Sequence, residues 1–323
     1  MKIFTLENEY IKVNFLSLGA TIVDLIKKSN QVNYVLRYDN IDQYTKNSYY
    51  FGVLIGRNAG RTFPARYRNY LNEKIELDLN EGNKHLHGGK YGLHMKEFEV
   101  VKKSNTEYSL FLEDNQTLYE KASIEINYCL EGNRFIYKIK GTSQVPTIFN
   151  LTNHTYFNLN QDKTKGIEEH IMRIDSDKIQ LIDDNYIPNG KIGDLGNVEN
   201  KEWNFKNNKQ IYDCLAQNSS LSKICSGGID LAYLFKEGLN FEKEKIHLQS
   251  LDRTNQLKIY SNQSSCVVYT LNKINEAVKI NAGKKIKKHH GITFEMQKEP
   301  NFIHSSSECL ENEYKSITVY EIM

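Results

Sequence analysis

Two alternating segments joined by a tight turn constrain this chain most. Ala122-Ser-Ile-Glu-Ile-Asn-Tyr-Cys-Leu130 and Phe135-Ile-Tyr-Lys-Ile-Lys140 flank Glu131-Gly-Asn-Arg134. Apolar residues at every second position put one face of each segment into a core, and the glycine-containing turn closes a hairpin. Phe98-Glu-Val-Val101 and Tyr108-Ser-Leu-Phe-Leu112 precede them at similar spacing. Short strands separated by regular turns predict an all-β sandwich. No segment shows convincing helical periodicity over three turns, and residues 206–222 suit a short helix or loops.

The flanking sequence continues this pattern. Tyr10-Ile-Lys-Val-Asn-Phe15 alternates, and the apolar run Leu16–Ile26 is broken by Gly19. A glycine inside a strand pattern marks a bulge or a close backbone approach. Leu257-Lys-Ile-Tyr-Ser-Asn262 and Cys266-Val-Val-Tyr-Thr-Leu271 read as a further hairpin. The 323 residues alone would suggest about two domains. Large β-sandwiches run long, however, and no linker, repeat or low-complexity segment interrupts the chain. A single domain over 1–323 is expected.

Composition excludes some partners. Lys and Arg number 42 against 40 Asp and Glu, so no global field favours nucleic acid or an anionic membrane. The basic run Lys284–His290 reads as a solvated loop. No apolar run approaches the ~18 residues of a membrane span. Acidic residues near Met1 stand where a signal peptide needs an apolar stretch, so a cytoplasmic protein is expected. The five cysteines are scattered, with no Cys-x-x-Cys pair, which disfavours a disulfide framework or a zinc site. Twenty-one tyrosines suit a chain that lines polar pockets with aromatic hydroxyls.

Chemistry concentrates in Asn150-Leu-Thr-Asn-His-Thr-Tyr-Phe-Asn158-Leu159. Period-2 reading places Asn150, Thr152, His154, Tyr156 and Asn158 on one side, a face suited to a wet pocket or to the solvated side of an edge strand. Arg57 and Arg61 sit among small residues, able to reach a ligand or to pair with surface acids. His85 and His87 are spaced to share one side of a strand, which invites a cupin-like metal site. Glu97, the nearest later glutamate, fits such a site poorly, and a histidine held in a pocket by Gly88-Gly89 is the better functional reading. Asp230 follows a double glycine. Glu295 interrupts the apolar strand Ile292–Met296, either outward or held in a site.

The order of these motifs resembles the aldose 1-epimerase (galactose mutarotase) family. The resemblance rests on Leu18-Gly-Ala-Thr-Ile22, Gly56-Arg-Asn-Ala-Gly-Arg61, His85-Leu-His-Gly-Gly89, the Asn150–Leu159 segment, Ile187-Pro-Asn-Gly190, Gly227-Gly-Ile-Asp230, Phe294-Glu-Met-Gln297 and Tyr314-x-x-x-Thr318-x-Tyr320. It covers nearly the whole chain. It implies a large antiparallel β-supersandwich with an open sugar-binding cleft. It further implies His154 as catalytic acid, Glu295 as catalytic base, His87 as a second active-site histidine, and Arg61 and Asp230 as ligands of sugar hydroxyls. Gly60 stands where many members have a substrate-contacting asparagine. Leu231 replaces a common histidine, and Val267 a glutamine found in some members, which leaves the preferred hexose open.

The implied reaction interconverts the α and β anomers of a free hexose such as galactose or glucose. It needs one proton delivered to the ring oxygen and one removed from the C1 hydroxyl, and an acid and a base on opposite sides of the sugar would supply this. It needs no metal and no other cofactor. A carboxylate such as Glu295 is ordinarily ionised at pH 7, and in the same cleft it would raise the protonated share of His154. The expected partner is an aldohexose, bound by a monomer or homodimer. Alternatives are a sugar-phosphate epimerase using Arg57, Arg61 or Arg66 as an anion site, a non-catalytic sugar-binding protein, a cupin-like metalloenzyme, and a glycosidase with paired carboxylates.

Overall fold

The computed structural model describes residues 1–236, 240–281, 283–304 and 309–323. Two antiparallel sheets carry most of the strand residues. The larger has nine strands, in the order Glu99–Lys102, Glu107–Asp114, Ala122–Glu131, Arg134–Ile148, Leu310–Ile322, Gln256–Ser261, Glu244–Gln249, Ile171–Ile174 and Lys209–Gln210. The smaller has six, in the order Tyr156–Phe157, Ile292–Gln297, Ser265–Tyr269, Asp230–Leu234, Lys178–Ile182 and Pro188–Asp194. A four-stranded N-terminal sheet, Ile3–Glu7 to Val32–Asn33, completes the frame. The all-β, large antiparallel sandwich expected from the alternation is the observed architecture. Residues 206–222 hold the edge strand Lys209–Gln210 and short helical turns, Tyr212–Leu215 and the start of Ser220–Ile224.

The central hairpin forms as its pattern predicts, with Leu130 opposite Phe135 and Ile126 opposite Ile139. Its inward residues join one apolar cluster with the inward residues of the six-stranded sheet, including Phe135, Tyr320, Phe157, Phe294, Val268 and Leu231. The rings of Phe157 and Tyr320 meet edge to face at 5.1 Å, bridging the two sheets. Burying an apolar side chain of this size contributes roughly 1.5–3 kcal/mol. One face of the smaller sheet is thereby committed to the core, and period 2 leaves its other face for the cleft.

One expected pairing is not made. Gln256–Ser261 and Ser265–Tyr269 are consecutive but belong to different sheets. Leu257 pairs with Ile322 and Ser261 with Thr318, whereas Val267 pairs with Ala232 and Glu295. The intervening residues carry the chain between layers, and each strand is paired on both sides within its own sheet. Gly19 meets its expectation: at φ +60° it lies so close to His94 that an added Cβ would stand 2.9 Å from the His94 carbonyl oxygen.

The Asn150–Leu159 segment is buried throughout, so it is not an edge strand with a solvated face. Its asparagines tie backbone. Asn153 donates to the Gly52 carbonyl at 2.7 Å, and Asn158 to the carbonyls of Lys165 and His290 at 2.9 and 2.8 Å. Asn150 accepts from the Lys298 N–H at 2.9 Å. Its backbone also pairs with the Arg57–Ala59 stretch. The arginine segment therefore runs alongside the histidine segment.

Among the described residues, no helix is long and apolar enough to cross a membrane. The basic run is only partly solvated: Ile286 and His290 are buried, and the His290 ring contacts the Lys163 carbonyl at 2.7 Å.

Candidate active site

A cleft opens over the second face of the six-stranded sheet, lined by polar and aromatic side chains. Register explains its floor. Tyr156, Thr293, Tyr269 and Asp230 form one cross-strand row, and Glu295, Val267, Ala232 and Gln180 form the next. Glu295 thus faces the cleft because Ile292, Phe294 and Met296 face the core.

The wall is built by a short ladder in which Arg61 pairs with Leu86 and Thr62 with His85. This ladder brings Gly60 and His87 into a reciprocal contact. The His87 N–H donates to the Gly60 carbonyl, and the Gly60 N–H donates to Nδ1 of His87, both at 3.2 Å. Nδ1 is therefore the acceptor, and Nε2 of the neutral ring carries the proton. Burial holds His87 well below the usual imidazole pKa, and the neighbouring His154 adds to this. Gly60 lines the cleft but has no side chain to offer, and its N–H is occupied in orienting His87.

His85 and His87 do not share a side. At φ +54° His87 leaves the strand direction and lines the cleft. His85 is buried behind the wall, with Nε2 2.8 Å from the Tyr119 hydroxyl and Nδ1 2.9 Å from the Asp78 carbonyl. Arg57 also lies outside the cleft, fully buried beside Asp114 at 3.4 Å. Neither the surface pairing nor the ligand role expected of Arg57 is found.

His154 and Glu295, far apart in sequence, meet in the cleft. Nε2 of His154 is 3.4 Å from Oε1 of Glu295, and the Thr293 hydroxyl donates to the same oxygen at 3.2 Å. Both side chains are nearly inaccessible. The His154 ring is surrounded by Tyr50, His87 and Tyr156, with centroids 5.7, 5.3 and 5.1 Å away. Desolvation dominates the electrostatics. It pushes Glu295 up to about 8, helped by Asp230, and His154 down to about 4. The ionised Glu295 and raised His154 expected from ordinary pKa values are thus reversed by burial.

Arg61 is clamped by two acids. Its Nε and Nη2 donate to both oxygens of Glu81 at 2.7 and 3.1 Å, and its Nη1 to Asp230 at 3.3 Å. Burial alone would lower its pKa, but Asp230 and Glu81 more than offset this. The Tyr186 ring lies 4.8 Å from the Arg61 guanidinium and 3.9 Å from the Lys273 amine. Glu81, Tyr186 and Gln180 were not singled out from sequence. Glu81 lies four residues before His85, and a lone glutamate there carries no signal until its arginine partner is seen.

The fold and this site can now be compared with known proteins. The family model described as aldose 1-epimerase matches residues 2–313. The chain belongs to the aldose 1-epimerase family. Among curated members, the galactose mutarotase of Sus scrofa is 26% identical over 308 residues, covering 93% of this chain and 86% of the relative. The aldose 1-epimerase of Streptococcus thermophilus is 27% identical over 320 residues, covering 94% and 87%. An aldose epimerase homologue from C. elegans superposes with a TM-score of 0.87 at 20% identity, covering 100% of this chain and 98% of the other. The galactose 1-epimerase of Lactobacillus acidophilus gives 0.84 at 25% identity, covering 99% and 94%. Membership of the epimerase family and the mutarotase-like fold agree with the resemblance read from the motifs.

Proposed function

We propose that this protein is a mutarotase that interconverts the anomers of a free aldohexose such as galactose or glucose. His154 is the acid and Glu295 the base. The observation that carries this reading is the 3.4 Å approach of their side chains in a polar cleft. The two groups sit side by side in the cleft rather than on opposite sides of the sugar. This still suits the chemistry, because the ring oxygen and the C1 hydroxyl share one carbon.

Between about pH 4 and 8 the pair holds one proton. Placing it on His154 and leaving Glu295 bare gives the productive form. A sugar hydroxyl donating to Glu295 favours that form, since hydrogen bonds to a carboxylate stabilise its charge. Imidazolium then gives its proton to the ring oxygen while Glu295 takes the proton from the C1 hydroxyl. The C1–ring oxygen bond breaks, the aldehyde turns about C1–C2, and the same transfers run backwards to close the other anomer. Nε2–H of His87 is oriented to donate to a substrate oxygen. The Glu81–Arg61–Asp230 network offers directional contacts to hydroxyls.

The alternatives are less well supported. A phosphorylated sugar needs unneutralised cations. Arg57 is buried elsewhere, Arg66 is exposed on the Arg66–Arg68 strand, Arg61 is held by two acids, and Lys273 in the cleft lining does not by itself make an anion site of two cations. A passive binding protein has no use for a buried His–Glu pair. Donor atoms of His87, His154 and Glu295 do lie within 4.8 Å of one another, a cluster that a metal could exploit. However, the lone pair of His87 Nδ1 is engaged by the Gly60 N–H and Nε2 carries the proton, so the neutral ring has no donor left for a metal. A glycosidase uses two carboxylates free to act on the glycosidic bond, whereas here Asp230 is bound to Arg61 and the close partner of Glu295 is a histidine.

Polarimetry of freshly dissolved α-galactose and α-glucose, with and without a chelator, tests the proposal. Accelerated mutarotation that survives chelation is expected. A rate equal to the uncatalysed one overturns it, as does loss of activity on chelation.

A further inference from the structure

Tyr50 lines the cleft on a backbone that a bulky side chain rarely adopts. Its φ is +57°, in the left-handed region. The turn around it imposes that geometry. The Tyr50 N–H donates to the Asn47 carbonyl at 2.8 Å. The buried Asn47 side chain clamps the next residue from both sides. Its Oδ1 accepts from the Phe51 N–H at 2.8 Å, and its Nδ2 donates to the Phe51 carbonyl at 3.1 Å. The chain then pairs with His154 itself. The Gly52 N–H donates to the His154 carbonyl at 3.1 Å, and the His154 N–H to the Val53 carbonyl at 2.8 Å. Tyr50 is thus carried to His154 by the backbone that holds His154 in place. A strained conformation fixed this tightly beside a reacting group points to a role for the side chain it aims.

That side chain is set against three histidines. Its ring centroid lies 5.0 Å from His87, 5.0 Å from His94 and 5.7 Å from His154. The His87 and His154 rings are 5.3 Å apart, so Tyr50, His87 and His154 close a triangle of rings. Tyr50 meets His87 and His94 edge to face, a favoured aromatic geometry. His154 needs such packing. A functional imidazole is ordinarily oriented by a hydrogen bond at its second nitrogen. Nδ1 of His154 is buried and has no hydrogen-bond partner among the described residues. The carbonyls of Tyr50 and of His154 itself favour the protonated ring, against the larger effect of desolvation, without a well-directed bond to Nδ1. The ring plane is therefore set by the neighbours Tyr50, His87 and Tyr156 and, at Nε2, by Glu295. Of these, Tyr50 packs on both histidines of the cleft.

We infer that Tyr50 is a positioning residue, whose ring fixes the imidazole planes of His154 and His87 and so keeps Nε2 of His154 on Glu295. The inference rests on the mutarotase reading, which makes His154 the acid. The role belongs to the ring and not to the hydroxyl. Without the ring, the His154 plane can tilt away from the line of proton transfer, which lowers kcat. The contacts of the Glu81–Arg61–Asp230 network are untouched, so KM moves less. Loss of the ring also lets water reach His154 and relieves part of the desolvation that holds its pKa down. The other titratable groups around it, Glu295, His87, His94 and Tyr156, stay in place. The pKa of His154 then rises, and the acid limb of the rate profile moves to higher pH.

Three variants test this. Tyr50→Phe keeps the ring, and Tyr50→Leu keeps bulk without an aromatic face. Tyr50→Gly removes the side chain at a position whose left-handed backbone suits glycine. Initial mutarotation rates of glucose and galactose are measured by polarimetry across the pH range, alongside thermal unfolding. In Tyr50→Leu and Tyr50→Gly, kcat falls on the order of tenfold while KM changes by less than about threefold. Their acid limb moves up by about half a pH unit or more. Tyr50→Phe, the conservative variant, restores kcat to within about twofold and leaves the limb in place. A merely structural residue would lower Tm without moving the limb. Wild-type kcat and an unmoved limb in Tyr50→Gly overturn the inference. So does a loss in Tyr50→Phe equal to that in Tyr50→Gly, or a raised KM at unchanged kcat. If Tyr50→Gly does not fold, Tyr50→Leu against Tyr50→Phe gives the same comparison. A wild-type protein without mutarotase activity sinks the proposed function itself, whereas an active wild type with indifferent Leu and Gly variants sinks this inference alone.

Discussion

Nε2 of His154 and Oε1 of Glu295 lie 3.4 Å apart, with the Thr293 hydroxyl on the same carboxylate oxygen. Burial moves the two pKa values toward and past each other, Glu295 up to about 8 and His154 down to about 4.

The pH dependence follows from that crossing. Below about 4 both groups are protonated and no base remains; above about 8 neither is, and no acid remains. A bell-shaped kcat/KM profile is expected, with a broad plateau between those limits. Polarimetric rates across pH 3–10 would show it. A profile without an acid limb would remove Glu295 from its role.

Substitution of either partner removes the proton transfer. His154→Asn and Glu295→Gln are each expected to lower kcat by ~10² or more. Thermal unfolding alongside the rates separates loss of chemistry from loss of fold. A well-folded variant with a near-normal rate in either case would refute the pair.

Glu81 tests the substrate-holding network. Glu81→Gln removes one of the two charges on Arg61 while keeping the side-chain shape, and leaves the contact to Asp230. KM is expected to rise by roughly three- to tenfold with little change in kcat, as a charge-assisted fork is weakened. A kcat effect as large as that of Glu295→Gln would instead place Glu81 in the chemistry.

Asn158 separates structural asparagines from sugar ligands. Its amide donates to the Lys165 and His290 carbonyls. Asn158→Ala leaves both without that donor and should cost about 1–3 kcal/mol of stability. Urea unfolding measures the loss, and KM measured well below the transition should be unchanged. A raised KM in a fully stable variant would mean that Asn158 contacts sugar.

Much of the frame was legible in local pattern. Alternation over 122–130 and 135–140 fixed both strands and their turn, and the resemblance of the motifs pointed to His154, Glu295, His87, Arg61 and Asp230, all of which line one cleft. Other readings failed where the deciding contact is long-range. Nothing local distinguishes a hairpin from two strands that separate into different layers, as at 257–262 and 266–271. Nothing local shows that Arg57 meets Asp114 while Arg61 meets Glu81. The spacing of His85 and His87 suggested a shared face, which the left-handed backbone at His87 undoes.

By itself, then, the sequence determined the strand-rich class, the inward and outward alternation of each strand, and the family. These depend on residues close together in the chain. Only the tertiary structure decided which strands share a sheet, which polar groups are tied to backbone, and which face the cleft. It also decided where the proton of the His154–Glu295 pair resides. That property arises from desolvation by segments brought together in folding, and no single segment carries it.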